Sequence, residues 1–155
     1  MSLTTSRITR PATAVCVAAT LALGACSSDG GGGSKAKSEV QKFLNELDAA
    51  VRDGNTDLRA ARLHPAVIER YGEQQCRDFL AGQQDKTRRD KVKEVGKAES
   101  FEYATDNLAV TVADALPVQV QSTIKGKKGE RDIHLARVNG QLTYFIDCGG
   151  PLIRQ

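Results

Sequence analysis

The segment DIHLARVNGQLTYFIDC, residues 132–148, carries the clearest local signal for secondary structure in this chain. Asn139 and Gly140 lie between two runs in which larger apolar residues alternate with polar ones. An Asn-Gly pair favours a two-residue type I′ turn, because both central residues of that turn require positive φ. The segment therefore predicts an antiparallel hairpin with strands over 132–138 and 141–148.

Alternation with a period of two also precedes this hairpin, and it begins at Val92. We expect a weak point at Gly96. Pro117 interrupts the alternation and should mark a bend or an edge, because proline cannot donate a hydrogen bond to a neighbouring strand. The expected strand segments are 92–103 and 108–124, with turns at 105–107 and 125–129. Together with the hairpin, they predict an antiparallel sheet of about four to five strands.

Residues 39–83 have instead the 3.6-residue spacing of amphipathic helices. After Ser38, which can cap a helix together with Gln41, one apolar stripe comprises Val40, Phe43, Leu44, Leu47 and Val51. Shorter helices are predicted to begin at Asn55 or Thr56, at Pro65 and at Glu73, followed by a charged, solvated connector over 84–91. Helices followed by strands favour a single α+β domain over residues 39–155.

Residues 1–25 have the composition of a cleaved signal peptide. Arg7 and Arg10 lie in a polar stretch without acidic residues, and the apolar run 12–24 is too short to span a membrane. This run ends in Leu23-Gly24-Ala25-Cys26, which resembles the lipobox of bacterial lipoproteins. The resemblance implies lipidation of Cys26 with diacylglycerol, and palmitate-type acyl chains would hold the protein on the extracytoplasmic face of the cell membrane. The alternative is an ordinary secretory signal, which would leave Cys26 as a plain thiol.

Residues 26–38 form a Gly/Ser-rich tract, and after Cys26 it has no apolar side chain larger than Ala36. We expect this tract to be a lipidated, flexible tether. Removal of Arg7 and Arg10 would leave 20 basic and 19 acidic residues. This balance lacks the excess of positive charge that is typical of proteins that bind nucleic acid. The partners that we expect are the membrane and an unknown small apolar ligand or envelope protein, with a homodimer as a further alternative.

The chain has four cysteines. Cys16 would leave with the signal peptide and Cys26 would be acylated, so Cys76 and Cys148 remain as a pair in an oxidising compartment. We expect a disulfide between these two residues. The alternatives are a redox-active pair or metal ligands, although the chain has no Cys-x-x-Cys motif and neither histidine has metal-ligand spacing to a cysteine. We expect no metal and no cofactor.

Three segments resemble the small actinobacterial lipoproteins of the nuclear transport factor 2-like superfamily: VQKFLNELDAAVRDGN, YGEQQCRDFL and ARVNGQLTYFIDCGG. The resemblance covers about residues 37–150, and it implies a curved antiparallel sheet wrapped around helices, with a conical pocket. A tryptophan that is common in the last strand of that superfamily is replaced here by Tyr144 or Phe145. The residues expected at the pocket are Tyr71, Phe79, Tyr103, His134 and Tyr144.

Some members of that superfamily are isomerases or hydrolases, which place Asp, Tyr, His or Arg in the cone. The comparable groups here are His64, Tyr71, Asp78, Tyr103, His134 and Asp147, and none lies in a recognised catalytic motif. We expect His64 to be a helix-end residue near C-terminal carbonyls, Asp78 to be exposed and Asp147 to be able to hydrogen-bond a turn. Convergence of two or more of the His, Tyr and Asp78 groups in one cavity would favour an enzyme.

The sequence thus predicts a membrane-anchored envelope lipoprotein with no catalytic residues, whose domain binds a ligand or a protein. One alternative is an isomerase, dehydratase or hydrolase that acts in the cone. The other is an assembly or spacer protein that dimerises through an exposed face of its sheet.

Overall fold

A computed structural model describes residues 32–106 and 108–149 of the chain. The predicted signal peptide, Cys26, the first part of the predicted tether and the last six residues lie outside this part. The helices are α1 (Gly32–Asp53), α2 (Thr56–Ala61), α3 (Pro65–Tyr71) and α4 (Glu73–Ala81). The strands are β1 (Arg89–Val95), β2 (Glu99–Ala104), β3 (Ala109–Ile124), β4 (Lys127–Val138) and β5 (Gln141–Tyr144). The α+β class and the antiparallel sheet of five strands are confirmed.

Local sequence explains where the shorter helices begin. The Asn55 side chain accepts a hydrogen bond from the Leu58 amide at 3.0 Å and caps α2. His64 caps α3, where its Nδ1 accepts from the Ala66 amide at 3.3 Å and Pro65 occupies the first helical position. His64 is therefore an N-terminal cap, and our expectation that it lies near C-terminal carbonyls was wrong.

Helix α1 is longer than the sequence predicted. It begins at Gly32, so residues 32–38, which we expected to belong to the flexible tether, are helical. The physical reason is that a helix already stabilised by packing adds one hydrogen bond per residue, and Lys35, Ala36 and Lys37 are good helix formers. Within the described residues, no helix is long and apolar enough to cross a membrane.

Polar side chains of α1 bond to the backbone of the edge strand β1. Gln41 donates to the Asp90 carbonyl at 2.9 Å and accepts from the Val92 amide at 2.8 Å. The Lys37 ammonium donates to the Lys93 carbonyl at 2.7 Å. Gln41 thus serves β1 rather than the capping box that we predicted.

The sheet has the order β1-β3-β4-β5, and β2 also pairs with β3. Strands β1 and β2 lie end to end along one edge of β3, since Val95 pairs with Val118 and Glu99 with Ala115. The β4–β5 turn is the predicted Asn139-Gly140 pair, with φ of 52° and 78°. The β3–β4 turn is shorter than the predicted 125–129, because Lys125 and Gly126 suffice at φ of 49° and 77°.

Pro117 lies inside β3, which continues through it, at a point where one side of the strand is a local edge. Its carbonyl accepts from the Gly96 amide at 2.8 Å, so its nitrogen faces the break between β1 and β2, where a ladder donor is not needed. A Cβ on Gly96 would lie 2.7 Å from the Pro117 Cγ. The weak middle predicted at Gly96 is thus a real break in the edge strand.

Two apolar clusters form the interior. The first, here called the sheet core, packs α1 on the sheet and comprises Val40, Phe43, Leu44, Val92, Val118, Val120, Leu135 and Leu142. The second, called the helical cluster, comprises Ala60, Leu63, Val67, Cys76, Leu80 and Cys148. Cys76 and Cys148 form the expected disulfide, which ties α4 to the chain beyond β5. Because the disulfide occupies both sulfurs, the two residues are not metal ligands in the oxidised protein.

Candidate functional site

A cavity of about 430 Å³ lies between α1 and the sheet. This volume falls in the range of sites that hold small molecules. Its lining differs from end to end, with aromatic rings in one part and buried charges in another. The lining residues that matter here are Asp48, Arg59, Arg88, Asp90, Phe101, Tyr103, Arg131, His134, Tyr144 and Phe145.

The aromatic part is built by β2, β4 and the segment after β5. Phe101 stacks on His134 with ring centroids 3.7 Å apart and 6° between the planes. Tyr103 stacks on Phe145 at 5.0 Å, and Phe145 in turn stacks on His64 at 4.7 Å. Alternation along β2 places Phe101 and Tyr103 on the same face, so both rings lie on the cavity side. A flat apolar ligand could pack against this surface.

The charged part is a cluster of four residues. The Asp90 Oδ2 atom accepts from Arg88 at 2.6 Å and from Arg131 at 2.7 Å. Asp48 accepts from Arg88 at 3.2 Å and from the Asp90 amide. The two aspartates are each 4% exposed. Because two carboxylates face two guanidinium groups, this cluster is close to neutral.

Burial and the neighbouring Asp90 carboxylate raise the pKa of Asp48, and they outweigh the hydrogen bonds from the Asp90 amide and Arg88. The Asp90 Oδ1 atom is buried, and it accepts no hydrogen bond from any described residue. An unsatisfied buried acceptor is costly, so the cluster is not arranged for stability alone.

Arg59 is a second kind of buried charge. It is 4% exposed, its Nη1 donates to the Leu80 carbonyl at 2.6 Å, and none of the described carboxylates pairs with it. Burial lowers the pKa of Arg59. The Tyr144 hydroxyl donates to the Arg59 carbonyl at 3.2 Å. A hydrogen bond between the Tyr144 and Arg59 side chains opposes the effect of burial on the Arg59 pKa, so the ring of Tyr144 lies beside this cation.

The structure brings three of the five predicted pocket residues to the cavity. Tyr103, His134 and Tyr144 line it, and burial raises the pKa of both tyrosines to about 12. Tyr71 and Phe79 instead pack against the helical cluster, because their helices turn that face toward the disulfide. The Tyr71 hydroxyl lies 3.3 Å from the Thr105 hydroxyl.

The other groups considered for catalysis do not join the cavity lining. Asp78 is exposed on α4, as expected, and accepts from Gln74 at 2.9 Å. Asp147 accepts from the Gly149 amide at 2.8 Å and so bonds a turn, as expected. His64 contacts the cavity only indirectly, through Phe145, and burial lowers its pKa. Tyr103 and His134 are thus the two predicted groups that converge.

Sequence reasoning missed the charged part of the cavity. Asp48 lies four residues after Leu44 on α1, so it falls on the apolar stripe. Asp90 precedes Val92 by two residues, and Arg131 precedes Ile133 by two, so each faces the core. Charges at inward positions are the signal that could have revealed this site.

Among residues 32–106 and 108–149, no group of three or more His, Cys, Asp or Glu side chains could hold a metal ion. Comparisons with protein-family models, curated proteins and solved structures found no match to this chain.

Proposed function

We propose that the mature protein is a lipid-anchored envelope module whose domain, a cone of the nuclear transport factor 2-like type, binds a small ligand. The observation that supports binding is the 430 Å³ cavity with aromatic walls. Mostly apolar cavities of this volume are typical of the sites at which proteins bind small molecules. The cone is an interpretation of the five-stranded sheet, which packs α1 against one face.

Filling the cavity tests ligand binding. We expect the neutral dye prodan to shift its emission to the blue with the wild-type full-length protein, because the ring enters an apolar site. Ile133 lines the cavity and Val138, on the same strand, does not. Ile133→Phe should weaken the dye affinity at least about fivefold, whereas the control Val138→Phe should not. Equal affinities in all three proteins would overturn the proposal.

The anchor rests on Leu23-Gly24-Ala25-Cys26 alone. A thioether at the Cys26 sulfur needs that sulfur, so Cys26→Ser should abolish labelling of the protein by a clickable palmitate analogue in a bacterial host. The matched control is Cys16→Ser, which removes a thiol that we place in the signal peptide. Labelling that survives Cys26→Ser would overturn the anchor.

A second candidate function is an enzyme of the isomerase, dehydratase or hydrolase type. Tyr103 and His134 favour it, because both line the cavity. With its pKa near 12, the Tyr103 phenol would stay protonated at neutral pH and could donate to a developing oxyanion. His134, whose Nε2 lies 3.6 Å from a Glu99 carboxylate oxygen, would be the base.

Two reactions probe this second candidate. The full-length protein is mixed with 4-nitrophenyl butyrate for hydrolysis, and with phenylacetone in D₂O for exchange beside the carbonyl. An enzyme predicts a rate above buffer that falls at least about tenfold in His134→Gln. Rates equal to buffer in both assays would leave the binding module as the function.

A further inference from the structure

The buried charges that line the cavity do not cancel. Asp48 and Asp90 are matched by Arg88 and Arg131, through the ion pairs described above. Arg59 then remains as one buried cation without a carboxylate partner in the described part of the chain. A buried charge without a counter-ion is costly, so its retention beside a cavity suggests that a ligand supplies the missing anion.

The remaining charges on the lining do not alter this balance. Asp85 accepts three hydrogen bonds, from the amide and hydroxyl of Thr87 and from the Lys125 amide. Lys125 and Asp132 are exposed, so water and salt screen them. Asp85 therefore has its own partners and is not a counter-ion for Arg59.

The position of Arg59 relative to the rings defines the shape of the ligand. Tyr144 joins the two parts of the cavity, because both Tyr144 and Arg59 line it, their side chains share a hydrogen bond, and the next residue, Phe145, lies in the aromatic stack. A ligand that reaches both must have a flat or slender apolar body and a single anionic end. A guanidinium group pairs with a carboxylate through two parallel hydrogen bonds.

A dianion fits this site less well than a monoanion. Only one unmatched cation is present, and the carboxylates of Asp48 and Asp90 line the same cavity and would repel added negative charge. This observation favours a carboxylate over a phosphate monoester.

We propose that the cavity takes small amphipathic carboxylates, with the carboxylate on Arg59 and the apolar body against Phe101, Tyr103 and Phe145. This inference rests on the proposed binding function and names its ligand class. It requires the protein to distinguish ligands of the same apolar shape by the charge of their head group.

Three probes with one apolar body test the inference: 4-phenylbutyrate, 4-phenyl-1-butanol and 4-phenylbutylamine. Isothermal titration calorimetry on the full-length protein should give the acid at least about tenfold tighter binding than the alcohol, with the amine weakest. Arg59→Met should remove the preference of acid over alcohol. Arg59→Lys keeps the positive charge but loses the two parallel hydrogen bonds of a guanidinium group, so it should retain part of the preference for the acid.

Arg62→Met is the matched control, because Arg62 lies one turn along, pairs with Glu46 and is outside the cavity lining. It should preserve the full preference. Arg59 also bonds the Leu80 carbonyl, so its replacement could disturb the fold. The circular dichroism spectrum of Arg59→Met and its affinity for the alcohol must therefore match those of wild type. If this variant unfolds, Arg59→Lys and the comparison of the three head groups decide the question.

The outcomes separate this inference from the proposed function. Equal binding of acid and alcohol, or tighter binding of the amine, would overturn the carboxylate assignment and leave ligand binding intact. Binding of prodan with no binding of any phenylbutyl probe would do the same. Failure of both prodan and the phenylbutyl series would overturn both proposals.

Discussion

The helical cluster and the cavity region are held together in different ways. In the helical cluster, Val67, Cys76 and Leu80 are fully buried, and a disulfide closes the packing. In the cavity region, apolar packing stops short of filling the space, and Asp48, Arg59 and Asp90 are buried among the apolar residues. Replacing a buried ion pair with apolar residues is often neutral or stabilising, so such charges do not explain stability. The difference separates a region that stabilises the fold from one whose buried charges and open space fit the ligand binding that we propose.

Breaking the helical cluster should have the largest effect. The Cys76–Cys148 bridge spans 72 residues, and the chain-entropy model assigns a loop of this length about 4 kcal/mol. We expect Cys76→Ala with Cys148→Ala to lower the free energy of unfolding by about this amount in urea titrations. Reducing agent should lower the stability of wild type but not of the variant. A loss below about 1 kcal/mol would show that apolar packing alone holds this region.

The break between β1 and β2 can be tested at Gly96. A Cβ there would lie 2.7 Å from the Pro117 Cγ, so Gly96→Ala should cost about 2 kcal/mol of unfolding free energy. Pro117→Ala in the same chain should restore part of the loss, because it removes the contacting atom. Gly129→Ala is the control, since nothing lies within 4 Å of its added Cβ. Equal losses at positions 96 and 129 would contradict the close contact.

The pH dependence of stability distinguishes the buried charges from ordinary surface carboxylates. The pKa of Asp48 is raised in the folded state, so the folded protein binds more protons than the unfolded chain above about pH 4. The contribution of Asp48 to stability therefore falls as pH rises from the unfolded pKa through the folded one. Asp48→Asn should flatten this slope in urea titrations between pH 4 and 7. Partial burial acts to raise the pKa of Asp85, but hydrogen bonds from the Lys125 amide and from Thr87 lower it overall. The contribution of Asp85 is therefore lost as pH falls below the unfolded pKa of about 4, and Asp85→Asn should remove that loss.

The surface pair Glu39–Arg137 should show the smallest effect. Its two hydrogen bonds are 2.7 and 2.6 Å long, but the side chains are 44% and 40% exposed. We expect a coupling of about 0.5 kcal/mol in a double-mutant cycle with Glu39→Gln and Arg137→Met, and little coupling in 1 M salt. The hydrogen bond from Arg137 lowers the pKa of Glu39, so this contribution is lost as pH falls. A coupling above about 2 kcal/mol would contradict the distinction between buried and exposed charges.

The elements that sequence predicted correctly depend on neighbouring residues. Asn139-Gly140 requires no distant partner, and the Asn55 cap and Pro65 act within one helical turn. The sequence did not show that β3 continues through Pro117, because this depends on a break at Gly96, which is 21 positions away and becomes adjacent only in the sheet. The connector predicted over 84–91 ends early for the same reason, because β1 begins at Arg89 and the charges of Arg88 and Asp90 have partners on α1 and β4.

The sequence predicted residues of the aromatic part of the cavity but none of its buried charges. Tyr103 and His134 followed from the resemblance and from strand alternation, and both line the cavity. Arg59 was not foreseen, because a cation on a short helix is usually solvated, and only the packing of α2 against α4 buries it. For a cavity that contains buried charges, charged residues at positions predicted to face the core are a more specific signal than aromatic residues.

The bonds between α1 and β1 have a consequence for how these molecules behave when crowded. An edge strand with unpaired backbone groups is a template for another chain, and here Lys37 and Gln41 occupy such groups on Asp90, Val92 and Lys93. At the far edge of the sheet, the Tyr144 carbonyl accepts from the His64 amide at 2.9 Å, and the Tyr144 amide donates to the Arg62 carbonyl at 3.0 Å. The β1 part of one margin and the Tyr144 end of the other are thereby closed to strand-by-strand pairing, which would reduce polymerisation where many copies share one surface.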